Sequence, residues 1–240
     1  MRTALAVSPH LDDAAFSAGG TLAQLSRRGW RVVVATVFTR TVPDPRGFAL
    51  ACQTDKGLPP DADYMALRRA EDEAACAALG AEARHLPFAE APHRGYDSAA
   101  ALFAGVRVDD AVAGPIGDAL GQLARDLSPA LLLGPRAIGA HVDHIVVREA
   151  MSAVPARRTL LWTDWPYAGR QDAADPYADA DAEAKALSVP VRMMEAKLAA
   201  CAAYVTQLGF QFGGEAGMRR SVGAVATERF VLPAGPPGPA

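Results

Sequence analysis

The first 39 residues constrain the chain most. Thr3 to Ser8 is an apolar run of strand length closed by Pro9. From Ala14 to Arg28 the residues Phe16, Leu22 and Leu25 recur at helical spacing, and Gly29 ends that pattern. Arg31 to Thr39 follows as RVVVATVFT, a nearly continuous stretch of β-branched and apolar residues. A strand with one wet face alternates apolar and polar residues. A run without alternation is buried on both faces, as in a parallel sheet covered by helices. Strand, helix and strand within about 37 residues therefore read as a βαβ unit, with the right-handed crossover such units adopt.

The rest of the chain follows the same logic less clearly. Residues 40–63 hold four prolines and two glycines without periodicity, which predicts a long loop. Tyr64 to Leu79 is an amphipathic helix ended by Gly80. Residues 84–96 read as a turn-rich link, and Ala99 to Leu127 as one long or two short helices around Gly114 and Pro115. Pro129 to Gly134 is the next buried strand, His144 to Ser152 starts another helix, and Arg158 to Trp162 is a strand. Residues 169–185 are polar and read as a loop, Val191 to Leu208 as a helix, and Ser221 to Leu232 as the last strand. The expected architecture is three-layer α/β/α with a mostly parallel central sheet, one unit over residues 1–232. The Pro/Gly-rich residues 233–240 are expected to be a disordered tail.

Composition excludes several classes. Half of the 240 residues are hydrophobic, so the chain is not a disordered one. Lys and Arg number 24 against 27 Asp and Glu, a formal charge of −3, so no broad basic field exists to hold nucleic acid or an anionic membrane. Cys52, Cys76 and Cys201 are odd in number and far apart, which implies neither a disulfide framework nor cysteine chemistry. No apolar run approaches the roughly 18 residues of a membrane span, and Pro9-His10 interrupts the start before a signal-peptide core forms. A soluble, cytoplasmic protein is expected. Gly19-Gly20 lack the GxGxxG pattern, and no GxxxxGK[ST] occurs, so neither dinucleotide nor triphosphate cradles are present in the sequence.

Two segments carry side chains with chemistry. Ser8-Pro9-His10-Leu11-Asp12-Asp13 follows the first strand, and Gly139-Ala140-His141-Val142-Asp143-His144 follows the strand that ends at Gly134. Ligands of open α/β sheets bind at the carboxyl ends of strands, so both segments can face one crevice. Catalytic zinc takes three ligands from His and Asp or Glu and leaves a position for water; His10, Asp13 and His144 supply that set. Ferrous iron is held by the same ligand types. A helix N-terminus would account for one of the two adjacent carboxylates as a cap, but not for a second beside an imidazole.

PHLDD near the amino terminus with a later HVDH resembles the PIG-L (LmbE-like) family of zinc-dependent de-N-acetylases. Further echoes are Arg68-Arg69-Ala70-Glu71, Ala91-Pro92-His93-Arg94, Trp165-Pro166-Tyr167, Lys197, and Tyr204 with Gln207. The usual family motif is PHPDDE; Leu11 and Ala14 depart from it at positions that are not metal ligands in the family, which bears on loop shape and substrate preference. The resemblance implies a Rossmann-like fold, zinc on His10, Asp13 and His144, and Asp12 as general base. It also implies His141 as electrophile or acid, with Asp143 as its orienting partner. An imidazolium at His141, raised by Asp143, would then face the oxyanion and protonate the leaving amine. The implied activity is hydrolysis of an N-acetyl or other N-acyl group from a small amino sugar or glycoconjugate.

The alternatives are an amidase for a larger amide such as a thiol conjugate, and a non-hydrolytic Rossmann-like binding domain or transferase. A degenerate sugar-binding relative is disfavoured, because every proposed ligand and acid/base position is filled. Arg94 is a candidate for binding substrate, and Trp165 and Tyr167 for stacking on a sugar ring. Arg68 and Glu71, three apart on a helix, read as an ion pair. His85, Tyr204 and Gln207 read as packing residues. Oligomeric state is not legible.

Overall fold

The computed structural model describes residues 1–233; the expected tail lies outside the described residues from position 234 on. β1 (Thr3–Ser8), α1 (Asp13–Arg27) and β2 (Arg31–Thr36) form the expected βαβ unit, with β1 and β2 parallel from Thr3↔Arg31 to Ser8↔Thr36. Then come α2 (Gly47–Thr54), α3 (Tyr64–Leu79), β3 (Glu82–His85), α4 (Ala113–Leu127), β4 (Leu131–Pro135), α5 (Val142–Met151) and β5 (Thr159–Trp162). The last elements are β6 (Lys185–Pro190), α6 (Met194–Ala202), α7 (Val205–Phe212), α8 (Glu215–Gly223) and β7 (Thr227–Leu232). The seven strands make one sheet in the order β3-β2-β1-β4-β5-β7-β6. The first five run parallel, and β7 is antiparallel to both of its neighbours.

The unbroken apolar runs are explained by two separate cores. Ala4, Ala6, Val32 and Val34 point to one face, where α1, α3, α6, α7 and α8 contribute Phe16, Leu79, Cys201, Leu208 and Met218. Leu5, Val7, Val33 and Ala35 point to the other, against Ile116 and Leu120 of α4 and Val146 and Val147 of α5. Because side chains alternate across a strand, both faces of β1 and β2 must be apolar once helices cover both.

Sequence reading missed the polar edges. β3 (EARH) runs into the start of the expected link 84–96, and β6 (KALSVP) fills the unassigned stretch between the expected loop 169–185 and the helix expected from Val191; both are outer strands of the sheet. An edge strand buries little, so it lacks the apolar run that reveals an inner one. β3 is tied to β2 by Arg31, whose Nε donates to Glu82 Oε1 at 2.8 Å. Residues 40–63 are not wholly irregular but enclose α2. Gly114-Pro115 sits in the first turn of α4, where a missing N–H costs nothing, and splits no helix.

The expected helix 191–208 is two helices. The Tyr204 hydroxyl donates to buried Asp72 at 2.7 Å, while Glu71 accepts the Thr206 backbone N–H at 2.8 Å and so restarts the chain as α7. Ser221 to Gly223 belong to α8, so the last strand begins only at Thr227. Within the core, Lys197 Nζ lies 2.7 Å from Glu228 Oε1, both nearly inaccessible. Glu228 also accepts the Gly20 and Thr21 backbone N–H groups, so α1, α6 and β7 meet at one satisfied carboxylate. Among the described residues no helix is long and apolar enough to cross a membrane.

Candidate metal centre and active site

The sheet order reverses between β1 and β4, since chain continuation leads outward through β2 and β3 on one side and β5 on the other. At such a switch point the loops after two neighbouring strands diverge and leave a crevice at their carboxyl ends. His10, Asp12 and Asp13 follow β1, and His141, Asp143 and His144 follow β4, so all six converge there. The turn into His141 has Ala137, Gly139 and Ala140 in left-handed backbone, at φ 66, 93 and 60. Two alanines in that region carry strain of the kind found where a fold over-determines a site.

Three donors gather around one point. Asp13 Oδ2 lies 3.2 Å from His10 Nδ1 and 3.2 Å from His144 Nε2, and ligand atoms from these three residues all fall within 4.8 Å of one another. Each imidazole is held from behind by a carboxylate. His10 Nε2 is 2.9 Å from Asp143 Oδ2, and His144 Nδ1 is 2.8 Å from Asp164 Oδ1. Carboxylates on the far ring nitrogens fix orientation and basicity in metal-binding histidines. His144 is inaccessible, and its Nε2 has no hydrogen-bond partner among the described residues. An orphaned imidazole nitrogen facing a carboxylate fits a divalent cation. Without one, burial opposes a charge on His144, while Asp13 and Asp164 override it and hold the ring up at about 9.

His10, His141 and Asp143 form a second group of donors within the same reach. There, however, the proximity is explained by the His10–Asp143 hydrogen bond itself.

Asp12 precedes α1 but makes no capping bond, so its carboxylate is not spent on the helix. Gln211 Nε2 donates to its Oδ2 at 3.2 Å, and Arg68 Nη2 lies 3.8 Å away. Burial and the charge of Asp13 push Asp12 up to about 7, against the pull of Arg68. That is the range in which a carboxylate serves as a general base near neutrality.

His141 caps α5: its Nδ1 accepts the Asp143 backbone N–H at 3.2 Å, which leaves the proton on Nε2. Burial lowers its pKa to about 3, so the ring is neutral. The expected pairing of Asp143 carboxylate with His141 is not formed. Asp143 Oδ2 takes His10 and the Ala91 backbone N–H, and Oδ1 lies 2.8 Å from Arg94 Nη2.

Arg94 itself is committed within the protein. It bridges Asp143 to Asp110 and donates to the Ala89 carbonyl at 2.7 Å. Arg68 pairs with Glu90, not Glu71, which caps α7. Trp165 is partly buried and packs against the core, whereas Tyr167 lies on the site, its ring 5.2 Å from that of His144. Gly139 makes room for it, since a Cβ there would come within 2.7 Å of Tyr167 Cδ1. Sequence reading missed Asp164 and Gln211. The one available signal was for Asp164, just past a strand neighbouring β4.

His10, Asp13 and His144, a group that could hold a metal ion, thus lie beside the uncapped Asp12 at the switch point of an open α/β sheet. Residues 5–154 match the family described as PIG-L, GlcNAc-PI de-N-acetylase, and the chain belongs to that family. The 2'-N-acetylparomamine deacetylase of Streptomyces fradiae is 38% identical over 176 residues, covering 71% of this chain and 60% of that relative. The zinc-inhibited form of teicoplanin deacetylase is similar with TM-score 0.79 at 27% identity, over 99% of this chain and 100% of that one. A deacetylase of an antimicrobial pseudoaglycone gives 0.78 at 29%, over 97% of each chain.

Proposed function

We propose that the protein is a zinc-dependent hydrolase that removes an N-acetyl group from an amino sugar or amino-sugar conjugate of secondary metabolism. The observation that carries this reading is the unpartnered Nε2 of buried His144, facing Asp13 and His10 beside an uncapped Asp12. Family membership and the deacetylases it resembles support the same chemistry.

His10, Asp13 and His144 would hold the ion. When bound, a divalent cation lowers the pKa of water towards about 7 and polarises an amide carbonyl. Asp12 accepts the proton of the attacking water and holds it for the departing nitrogen. His141, kept neutral, donates its Nε2–H to the amide oxygen as negative charge grows there. This assigns His141 as a hydrogen-bond donor, in place of the imidazolium implied by the resemblance. Asp143 positions His10 and anchors Arg94, and Asp164 positions His144. Asp164→Asn is therefore expected to weaken zinc binding about 10–100-fold, read by competition with a chelator.

The direct test supplies the zinc-loaded protein with a panel of N-acetylated amino sugars and follows free amine and acetate together. Equimolar appearance of both on at least one sugar is expected. No amine from any of them, in protein shown to hold about one zinc per chain, would overturn the reading.

A further inference from the structure

We propose that Phe103 is the platform on which the sugar ring of the substrate stacks, and so the residue that separates N-acetylated sugars from acyclic amides. The inference rests on the deacetylase reading above and extends it to the leaving half of the substrate. Phe103 closes a short 3-10 turn at residues 101–103. Its ring stands edge-on to His141 at 5.3 Å between centroids and lies 6.3 Å from Tyr167. Yet it is 41% exposed, one of seven exposed large apolar side chains among the described residues and one whose ring stands against the His141 imidazole. An aromatic face open to solvent beside the reacting group is what a pyranose, with its apolar C–H face, needs for stacking.

The platform is held rigidly although it sits on a loop. Ala101 and Leu102 pack with Val106 against Ala91, Tyr96 and Val142. The segment 96–110 is closed on itself, because the Tyr96 hydroxyl donates to Asp110 at 2.9 Å and accepts the Arg107 backbone N–H at 3.0 Å. Arg94 then joins Asp110 to Asp143, the residue behind His10. The loop carrying Phe103 and the metal site are thereby clamped in one frame, which fixes the ring relative to the reacting carbonyl. Trp165, by contrast, is partly buried and packs against the core, and a Cβ on Gly169 would meet its ring at 2.8 Å.

The test uses zinc-loaded wild type, Phe103→Ala and Phe103→Tyr, with methyl N-acetylglucosaminide and N-methylacetamide as probes. Saturation-transfer NMR reads binding of the sugar ring whether or not it is hydrolysed, and kinetics read KM and kcat where it is. Phe103→Ala is expected to raise KM for the sugar about tenfold, and to cut its preference over N-methylacetamide by the same factor. Transfer to the ring protons is expected to fall with it, while Phe103→Tyr keeps all three at wild-type level. An unchanged KM and unchanged transfer in Phe103→Ala would overturn the platform, as would a loss confined to kcat. Transfer in wild type that Phe103→Ala abolishes would support the platform even with no hydrolysis of this sugar in either protein, and the deacetylase reading then stands or falls on the whole panel of N-acetylated amino sugars. No transfer to the wild-type protein would sink the platform.

Discussion

His144→Ala will yield a folded protein that has lost both its metal and its hydrolytic activity, the latter by at least about 10³-fold. The ring supplies one of three donors that meet at Asp13, and no other described side chain stands ready at the vacated nitrogen. Two ligands cannot hold the ion at physiological concentrations against solvent and chelators. The substitution also leaves Asp164, which accepts the Ile138 backbone N–H at 2.9 Å, without its imidazole partner. Part of the loss could then come from a loosened β5 loop. His144→Asn separates the two effects, because its side-chain amide stands where Nδ1 does and can still bond Asp164, while nothing is left at the place of Nε2. Mass spectrometry of metal content, run beside activity and thermal unfolding, decides the matter. Metal retained at one per chain in His144→Ala would transfer the site to the neighbouring His10, His141 and Asp143 group.

What could be read from the chain was local in sequence. HLDD begins two residues past β1 and HVDH six residues past β4, each following a buried strand, so the crevice these side chains share was visible. The inner strands were visible for the same reason: two covered faces leave an uninterrupted apolar run. The partners that tune the donors were not. Gln211 reaches Asp12 across 199 positions, Asp164 reaches His144 across 20, and Arg68 chooses Glu90 over a glutamate three residues away. Helical spacing offered Glu71 to Arg68, but burial of the arginine under the site and the capping need of α7 decided otherwise. Propensity likewise ran α6 through Tyr204, where the Glu71 carboxylate takes the Thr206 backbone N–H and starts a new helix. The Asp143–His141 pairing failed on geometry: two residues apart at a helix start, the backbone N–H reaches the ring and the carboxylate turns away to His10.

Asp12→Asn will lower turnover about 10²–10⁴-fold and leave one metal per chain. The amide keeps the shape of the carboxyl and an oxygen for Gln211, but it cannot accept a proton from water. Stability will move the other way. In the metal-free protein the folded value of Asp12 lies at about 7, above the roughly 4 of an unfolded aspartate. The native state therefore binds the extra proton between those limits, and wild-type stability falls as pH rises through that window. Asparagine carries no such charge into the interior, so metal-free Asp12→Asn will be the more stable protein at pH 8 and nearly equal at pH 4. Urea unfolding at the two values, with turnover and metal content on the same samples, tests both halves. Turnover near wild type would remove Asp12 from catalysis. Loss of metal would make Asp12 a ligand instead of a base. A variant that is slower, fully metallated and more stable at high pH would show that the fold tolerates a buried carboxylate here because the chemistry needs one.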